Sequence, residues 1–175
     1  MKYNFRTETP TAKLPTRHTK VSAGVDFYSD TDTLIYPGKS EIISTGISWN
    51  PDMHFIECFT EEMEHHSQLL NMLIHKNFGL SIIIQSRSGV AFRKDIEASN
   101  AGVIDQDYIN SEENKAIIKI KLYNHGNKCF QVQKGDKICQ GVSQLIPYFD
   151  DVETLDDNRN GLGFGSSDAK ERNNG

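Results

Sequence analysis

The run Ser99-Asn100-Ala101-Gly102-Val103-Ile104-Asp105-Gln106-Asp107-Tyr108 places a carboxylate directly after a turn-prone segment and an apolar pair. Asn tolerates, and Gly freely adopts, the positive φ of tight turns, so Asn100 and Gly102 predict a hairpin. Val103 and Ile104 then enter an apolar sheet face and leave Asp105 on a rigid platform beside it. Backbone N–H and C=O groups of such a hairpin can bond a flat polar ring edge to edge. A carboxylate fixed next to that slot can orient or deprotonate a water. A surface turn that uses Asp and Gly for shape alone has the same composition. The rest of the chain decides between the two.

Three further stretches are costly for a purely structural role. Ser86-Arg87-Ser88-Gly89 gathers a guanidinium, hydroxyls and unhindered N–H groups within four residues, a set suited to phosphate oxygens. The segment Arg159-Asn160-Gly161-Leu162-Gly163-Phe164-Gly165-Ser166-Ser167 repeats that chemistry with an aromatic added. Its glycines let backbone approach a ligand, Ser166 and Ser167 can donate to phosphate, and the Phe164 face can stack on a base. A flexible tail gains nothing from a Phe between two glycines, which favours a closing lid. Gly135-Asp136-Lys137-Ile138-Cys139-Gln140 reads as a turn and a buried strand, with Gln140 an unusual core residue.

These stretches need a scaffold, and short strands at regular spacing supply one. A polar lead-in over residues 1–20, with Pro10 and Pro15, reads as an edge strand and irregular chain. Strands are predicted over residues 23–28, 33–36, 40–49, 80–84, 116–122, 129–132 and 138–146, with turns at 37–38, 124–127 and 134–137. In the third of them Ile42, Ile43, Ile47 and Trp49 are available for burial, and Lys119 and Lys121 give a later strand one wet face. The basic Arg93-Lys94-Asp95 is expected to be turn-prone. One helical passage is expected: Thr60 is a plausible N-cap, Glu61 and Glu62 suit the positive end, and Met63, Leu70, Leu73 and Ile74 share a face. From residue 149 the chain turns acidic and aperiodic, like an arm leaving the core, and its last residues read as frayed. The pattern is all-β, a barrel or sandwich.

Composition narrows the classes. The 175 residues suit one domain with a proper core. A net charge of −5 gives no basic footprint for nucleic acid, so a bound polyanion would need locally concentrated cations. Cys58, Cys129 and Cys139 show no ligand spacing, which favours reduced thiols in the cytoplasm. No signal peptide or membrane-length apolar run is seen.

In sequence order these pieces resemble the homotrimeric dUTPase family, over residues 14–167. Ala23-Gly24-Val25-Asp26, Ser86 to Gly89, Gly102 to Tyr108, Gly135 to Gln140 and Arg159 to Ser167 are similar to its five motifs. The resemblance implies a distorted jelly-roll β-barrel of the β-clip kind over residues 1–148, and a C-terminal arm over 149–175 exchanged within a homotrimer. It implies hydrolysis of dUTP to dUMP and pyrophosphate, which keeps uracil out of DNA and supplies dUMP for dTMP synthesis. By the same carry-over, Asp105 would activate the water that attacks the α-phosphorus, and Tyr108 would pack on the deoxyribose. Asn100 and the Gly102, Val103 and Ile104 backbone would read uracil. Arg87, Ser88, Gly89 and Gln140 would hold phosphates. Arg159, Gly165, Ser166 and Ser167 would clamp them from another subunit, with Phe164 over the base. Mg²⁺ would ride on the triphosphate, and Asp26 would touch it only through water.

The sequence also departs from that pattern. Ser86 stands where proline is frequent, Asn160 where glycine is, Asp168 follows Ser167, and Gln140-Gly141 leaves the commonest fourth motif. The largest departure is the insertion over residues 52–78, where relatives usually have a short turn. Its His65 and His66 lie near Glu61 and Glu62 at a spacing open to metal, but a solvated helical face explains them as well. The expected role is packing on the trimer, with a protein partner as the alternative. A dCTP deaminase-like enzyme and a non-catalytic nucleotide-binding regulator are the rival functions. Bacterial and phage-type members are the apt comparison.

Overall fold

Alternation of apolar and polar side chains dictates most of the architecture seen in the computed structural model, which describes residues 5–49, 78–99, 102–105, 107–108 and 115–147. Ten strands and one short helix form β1(Phe5–Thr7), β2(Val25–Tyr28), β3(Thr33–Ile35), β4(Ser40–Trp49), β5(Phe78–Gln85), α1(Ser88–Lys94), β6(Ile96–Ala98), β7(Val103–Ile104), β8(Ile117–Asn124), β9(Phe130–Val132) and β10(Lys137–Pro147). All strand pairs are antiparallel. One sheet runs β1-β4-β8-β6, a second β2-β10-β5-β7, and β3 pairs with β9. The architecture is a jelly roll. Among the described residues no helix is long and apolar enough to cross a membrane.

The core lies between the sheets. In β8, Ile118, Ile120 and Leu122 point inward while Lys119 and Lys121 face solvent, as period-2 alternation requires. The same period corrects one expectation in β4. Ile43, Ile47 and Trp49 are buried, but Ile42 falls on the other face and is 59% exposed. A bulge between Ser44 and Ser48 breaks the β4 register. Gly46 occupies it at φ +64°, where a Cβ would lie 2.7–2.9 Å from Ala12, Asp30 and Thr9 atoms. Those neighbours tie the lead-in down, because buried Asp30 accepts the Thr9 and Thr11 hydroxyls at 2.7 and 2.6 Å.

Gly141 is fixed by packing alone. A Cβ there would sit 2.5 Å from Phe27 Cε2 and 2.8 Å from Ile82 Cγ2, and the Phe27 ring is braced edge-on by Phe5 at 5.6 Å. Gly141→Ala is therefore expected to cost about 1–3 kcal/mol, the usual range for overpacking. A lowered denaturant midpoint with an unchanged slope checks this.

The helix expected after Thr60 falls outside the described residues. The insertion over residues 52–78, including His65 and His66, lies outside the described residues except for Phe78, which opens β5. The described helix, α1, is a further one and occupies the segment read as a phosphate-binding loop and basic turn. Arg87 is still extended at φ −79°, ψ 133°, and Asp95 ends the helix in the left-handed region at φ 53°. Arg93 and Lys94 in the last turn favour the negative end of the helix dipole. The basic turn is thus a helix C-terminus. No residue of α1 is buried, so no apolar period betrays it.

Candidate functional site

Asp26 adjoins two of the sequence-predicted phosphate-binding residues, Arg87 and Gln140. Its backbone is fixed on both sides: β2 pairs with β10, Asp26 opposite Gln140, and Thr16 exchanges two backbone hydrogen bonds with Asp26 at 2.8 and 3.1 Å. Phe27 beside it points into the core, so the Asp26 side chain must face the opposite way. There Arg87 Nε donates to Asp26 Oδ1 at 2.8 Å, and Lys137 Nζ donates to Oδ2 at 2.7 Å. The carboxylate is only 7% exposed, against 25% for the Arg87 side chain and 34% for Lys137. Charge-assisted bonds of this kind satisfy a buried carboxylate.

In this arrangement each Asp26 oxygen accepts a hydrogen bond from a cationic nitrogen, a surrounding unsuited to direct coordination of a divalent ion. Among the described residues no group of three or more His, Cys, Asp or Glu side chains is gathered to hold a metal. Lys137 is the residue sequence reasoning missed. Its only signal was position, two residues before Cys139 in a turn-to-strand segment that pairs with β2.

Ser86 also has a specific place. Its hydroxyl accepts the Ala98 N–H at 2.8 Å, which ties the start of the Arg87 segment to β6. Behind the cluster the Cys139 thiol is pushed far up by burial, then by the Asp26 charge, with Arg87 opposing. It stays protonated and inert.

The carboxylate end of the site lies elsewhere, just after β7, which pairs with β5. Val103 pairs with Ile83 and Ile104 with Ile82, so the antiparallel direction carries Asp105 towards the level of Ser81. Ser81 is six residues back along extended chain from Arg87, which separates the two backbone positions by roughly 20 Å at ~3.3 Å per residue. Within one chain, therefore, Asp105 does not meet Arg87, Ser88, Gly89 and Gln140.

The predicted hairpin around Asn100 and Gly102 is also corrected. β6 joins the other sheet while β7 joins β5, so the strands flanking this segment do not pair with each other. The turn is further on, where Tyr108 N–H donates to the Asp105 carbonyl at 3.1 Å. The ring-reading edge survives in another form. β7 is the edge strand of its sheet among the described residues. Ile84 N–H donates to the Gly102 carbonyl at 3.4 Å, so by alternation the Val103 N–H and C=O point to the outer edge. Tyr108 is half-buried, its hydroxyl donates to the Ile117 carbonyl at 3.0 Å, and burial raises its ionisation above the usual phenol range. Asn100 and the arm residues Arg159, Phe164, Gly165, Ser166 and Ser167 lie outside the described residues.

Comparison with known proteins identifies the family. The dUTPase family model matches residues 56–168. A deoxyuridine 5'-triphosphate nucleotidohydrolase of Nautilia profundicola is 32% identical over 95% of this chain and 99% of its own length. The vaccinia virus (strain Copenhagen) protein of the same name is 34% identical over 93% and 90%. Among solved structures, the dUTPase from phage phi11 of S. aureus, described as having a species-specific insert, superposes with a TM-score of 0.62. It covers 91% of this chain and 99% of that one at 16% identity, a likeness of fold.

Proposed function

This chain belongs to the dUTPase family, and from that premise we propose that it hydrolyses dUTP to dUMP and pyrophosphate in the cytoplasm, keeping uracil out of DNA. The observation that carries the reading is the placement of the matched residues in two groups along β5, Arg87 and Gln140 at its C-terminal end and the Val103–Asp105 segment beside its middle. Arg87, Ser88, Gly89 and Gln140 make the phosphate half. The Val103 edge, Asp105 and Tyr108 make the half that holds the base and directs water.

The chemistry follows from what each half can do. A triphosphate repels an attacking oxygen, so charge must be neutralised and the water fixed in line. Asp105 orients that water and takes its proton as the new bond forms at the α-phosphorus. The bond from that phosphorus to the bridging oxygen breaks, and pyrophosphate leaves with the electron pair. The outward N–H and C=O of Val103 match the alternating acceptor and donor of the uracil edge, and tight approach of that backbone excludes a 5-methyl group. Tyr108, tied to Ile117, keeps its ring against the deoxyribose. Any Mg²⁺ would be carried by the substrate's own phosphate oxygens, with Asp26 reserved for Arg87 and Lys137. Arg159, Phe164, Gly165, Ser166 and Ser167 of the arm would close over the base and phosphates, completing a site shared among three copies. An arm over residues 149–175 and a barrel over 1–148 remain the proposed division.

The backbone positions of Asp105 and Arg87 are roughly 20 Å apart, which favours an active homotrimer in which one copy's phosphate half faces another's Asp105. Mixing tests this directly. Asp105→Asn and Arg87→Ala proteins are each expected to be inactive alone. Denatured together and refolded at equal amounts, they should regain about a quarter of wild-type activity, the share of sites drawing an intact half from each parent under random assembly. Recovery of no activity, with trimers confirmed by solution mass, would contradict a shared site.

A further inference from the structure

Next to the Asp26 cluster the chain builds a cleft of about 390 Å³ whose rim holds Lys13, Arg87, Lys94 and Lys137. Its walls include the rings of Tyr28 and Phe130 among aliphatic side chains. Lys13 Nζ lies 4.1 Å from the centre of the Tyr28 ring and Lys137 Nζ 5.9 Å from the same ring, while Lys94 Nζ lies 5.0 Å from that of Phe130. Two ammonium groups thus neighbour one ring, and a third neighbours another. The carboxylates present are Asp26, already bonded to Arg87 and Lys137, and Asp136, whose Oδ2 accepts the Gln133 N–H at 2.9 Å. A protein of net charge −5 that gathers four cations against two acids holds them against their mutual repulsion. A bound anion relieves that repulsion.

We infer that this cleft is a polyphosphate subsite in which Lys13 and Lys94 receive the pyrophosphate end of the substrate and the pyrophosphate product as it leaves. Neither lysine belongs to the stretches matched to the family's motifs. Lys13 comes from the lead-in before β2, and Lys94 from the last turn of α1. The cleft is continuous with the phosphate half-site through Arg87, and its Tyr28 and Phe130 rings hold the ammonium groups in place by cation–π contact. The identity of the ligand rests on the dUTP-hydrolysing reading; the preference for a polyanion rests on the cations alone.

Calorimetric titration of inorganic pyrophosphate into the full-length protein separates the two. Lys13→Ala/Lys94→Ala is compared with wild type, with Lys13→Arg/Lys94→Arg, and with Lys20→Ala as an exposed-lysine control. Both target lysines are exposed, so the folded state should survive. The double Ala variant is expected to bind pyrophosphate about tenfold more weakly, in line with two partly solvated charges. The double Arg variant and the control should stay within about twofold of wild type. In turnover assays the inhibition constant for pyrophosphate should rise by the same factor, while that for dUMP stays put. Pyrophosphate binding that is absent from wild type, or equal in wild type and the double Ala variant, overturns the inference. Lysine-dependent binding in a protein that leaves dUTP intact supports the anion site and removes the hydrolase reading instead.

Discussion

Asp105→Asn should lower dUTP turnover about a thousandfold, within the range for losing a positioned general base, while KM changes only a few-fold. The substitution keeps the shape of the side chain and much of its hydrogen bonding, but the amide cannot accept the proton of the attacking water. The residue is held from two directions, by β7 paired to β5 before it and by the Tyr108 N–H on its own carbonyl after it, so the variant should fold and bind. Steady-state kinetics with resolved dUMP and pyrophosphate checks this. Retention of a tenth or more of wild-type kcat would remove Asp105 from the chemistry.

The second large effect is on stability. Arg87→Met/Lys137→Met strands the Asp26 carboxylate at 7% exposure, where each oxygen loses a charge-assisted partner at once. Removing the partners of a buried charge costs about 3–5 kcal/mol. Lys137→Met alone should cost far less, because Lys137 is 34% exposed and water already screens much of its contribution. Adding Asp26→Asn to the double variant should recover most of the loss, since the stranded charge is then gone. Chemical denaturation of the series measures it. A double variant as stable as wild type, or a triple variant no better than the double, would show that the cluster is not the anchor described above.

What was legible in the sequence had a periodic or compositional signal. Alternation in Ile118, Ile120 and Leu122, and the turn chemistry between strands, marked most of the β elements, but the three-residue β6 (Ile96–Ala98) was too short to show a period. The motif residues gave two sets of candidate side chains, and Arg87 with Gln140 indeed borders Asp26 across β2 and β10. Other features left no such trace. α1 buries nothing, so it has no helical apolar stripe. The pairing of β7 with β5, in place of a local hairpin, depends on sheet closure over distant residues. The contact of Lys137 with Asp26 joins residues 111 apart in sequence, and nothing local distinguishes that lysine from a solvated turn residue. The burial of Gly141 under Phe27 is likewise a fact of packing, which turns an apparent departure from the fourth motif into a requirement.

The central claim is tested most directly by incubating the protein with Mg²⁺ and dUTP, dCTP or dTTP in separate reactions and resolving the products by anion exchange. The account predicts dUMP and pyrophosphate from dUTP, with dCTP and dTTP left intact. Untouched dUTP would leave a nucleotide-binding protein without this chemistry, and release of dUTP or dUMP from dCTP would place the carboxylate half-site in a deaminating reaction instead.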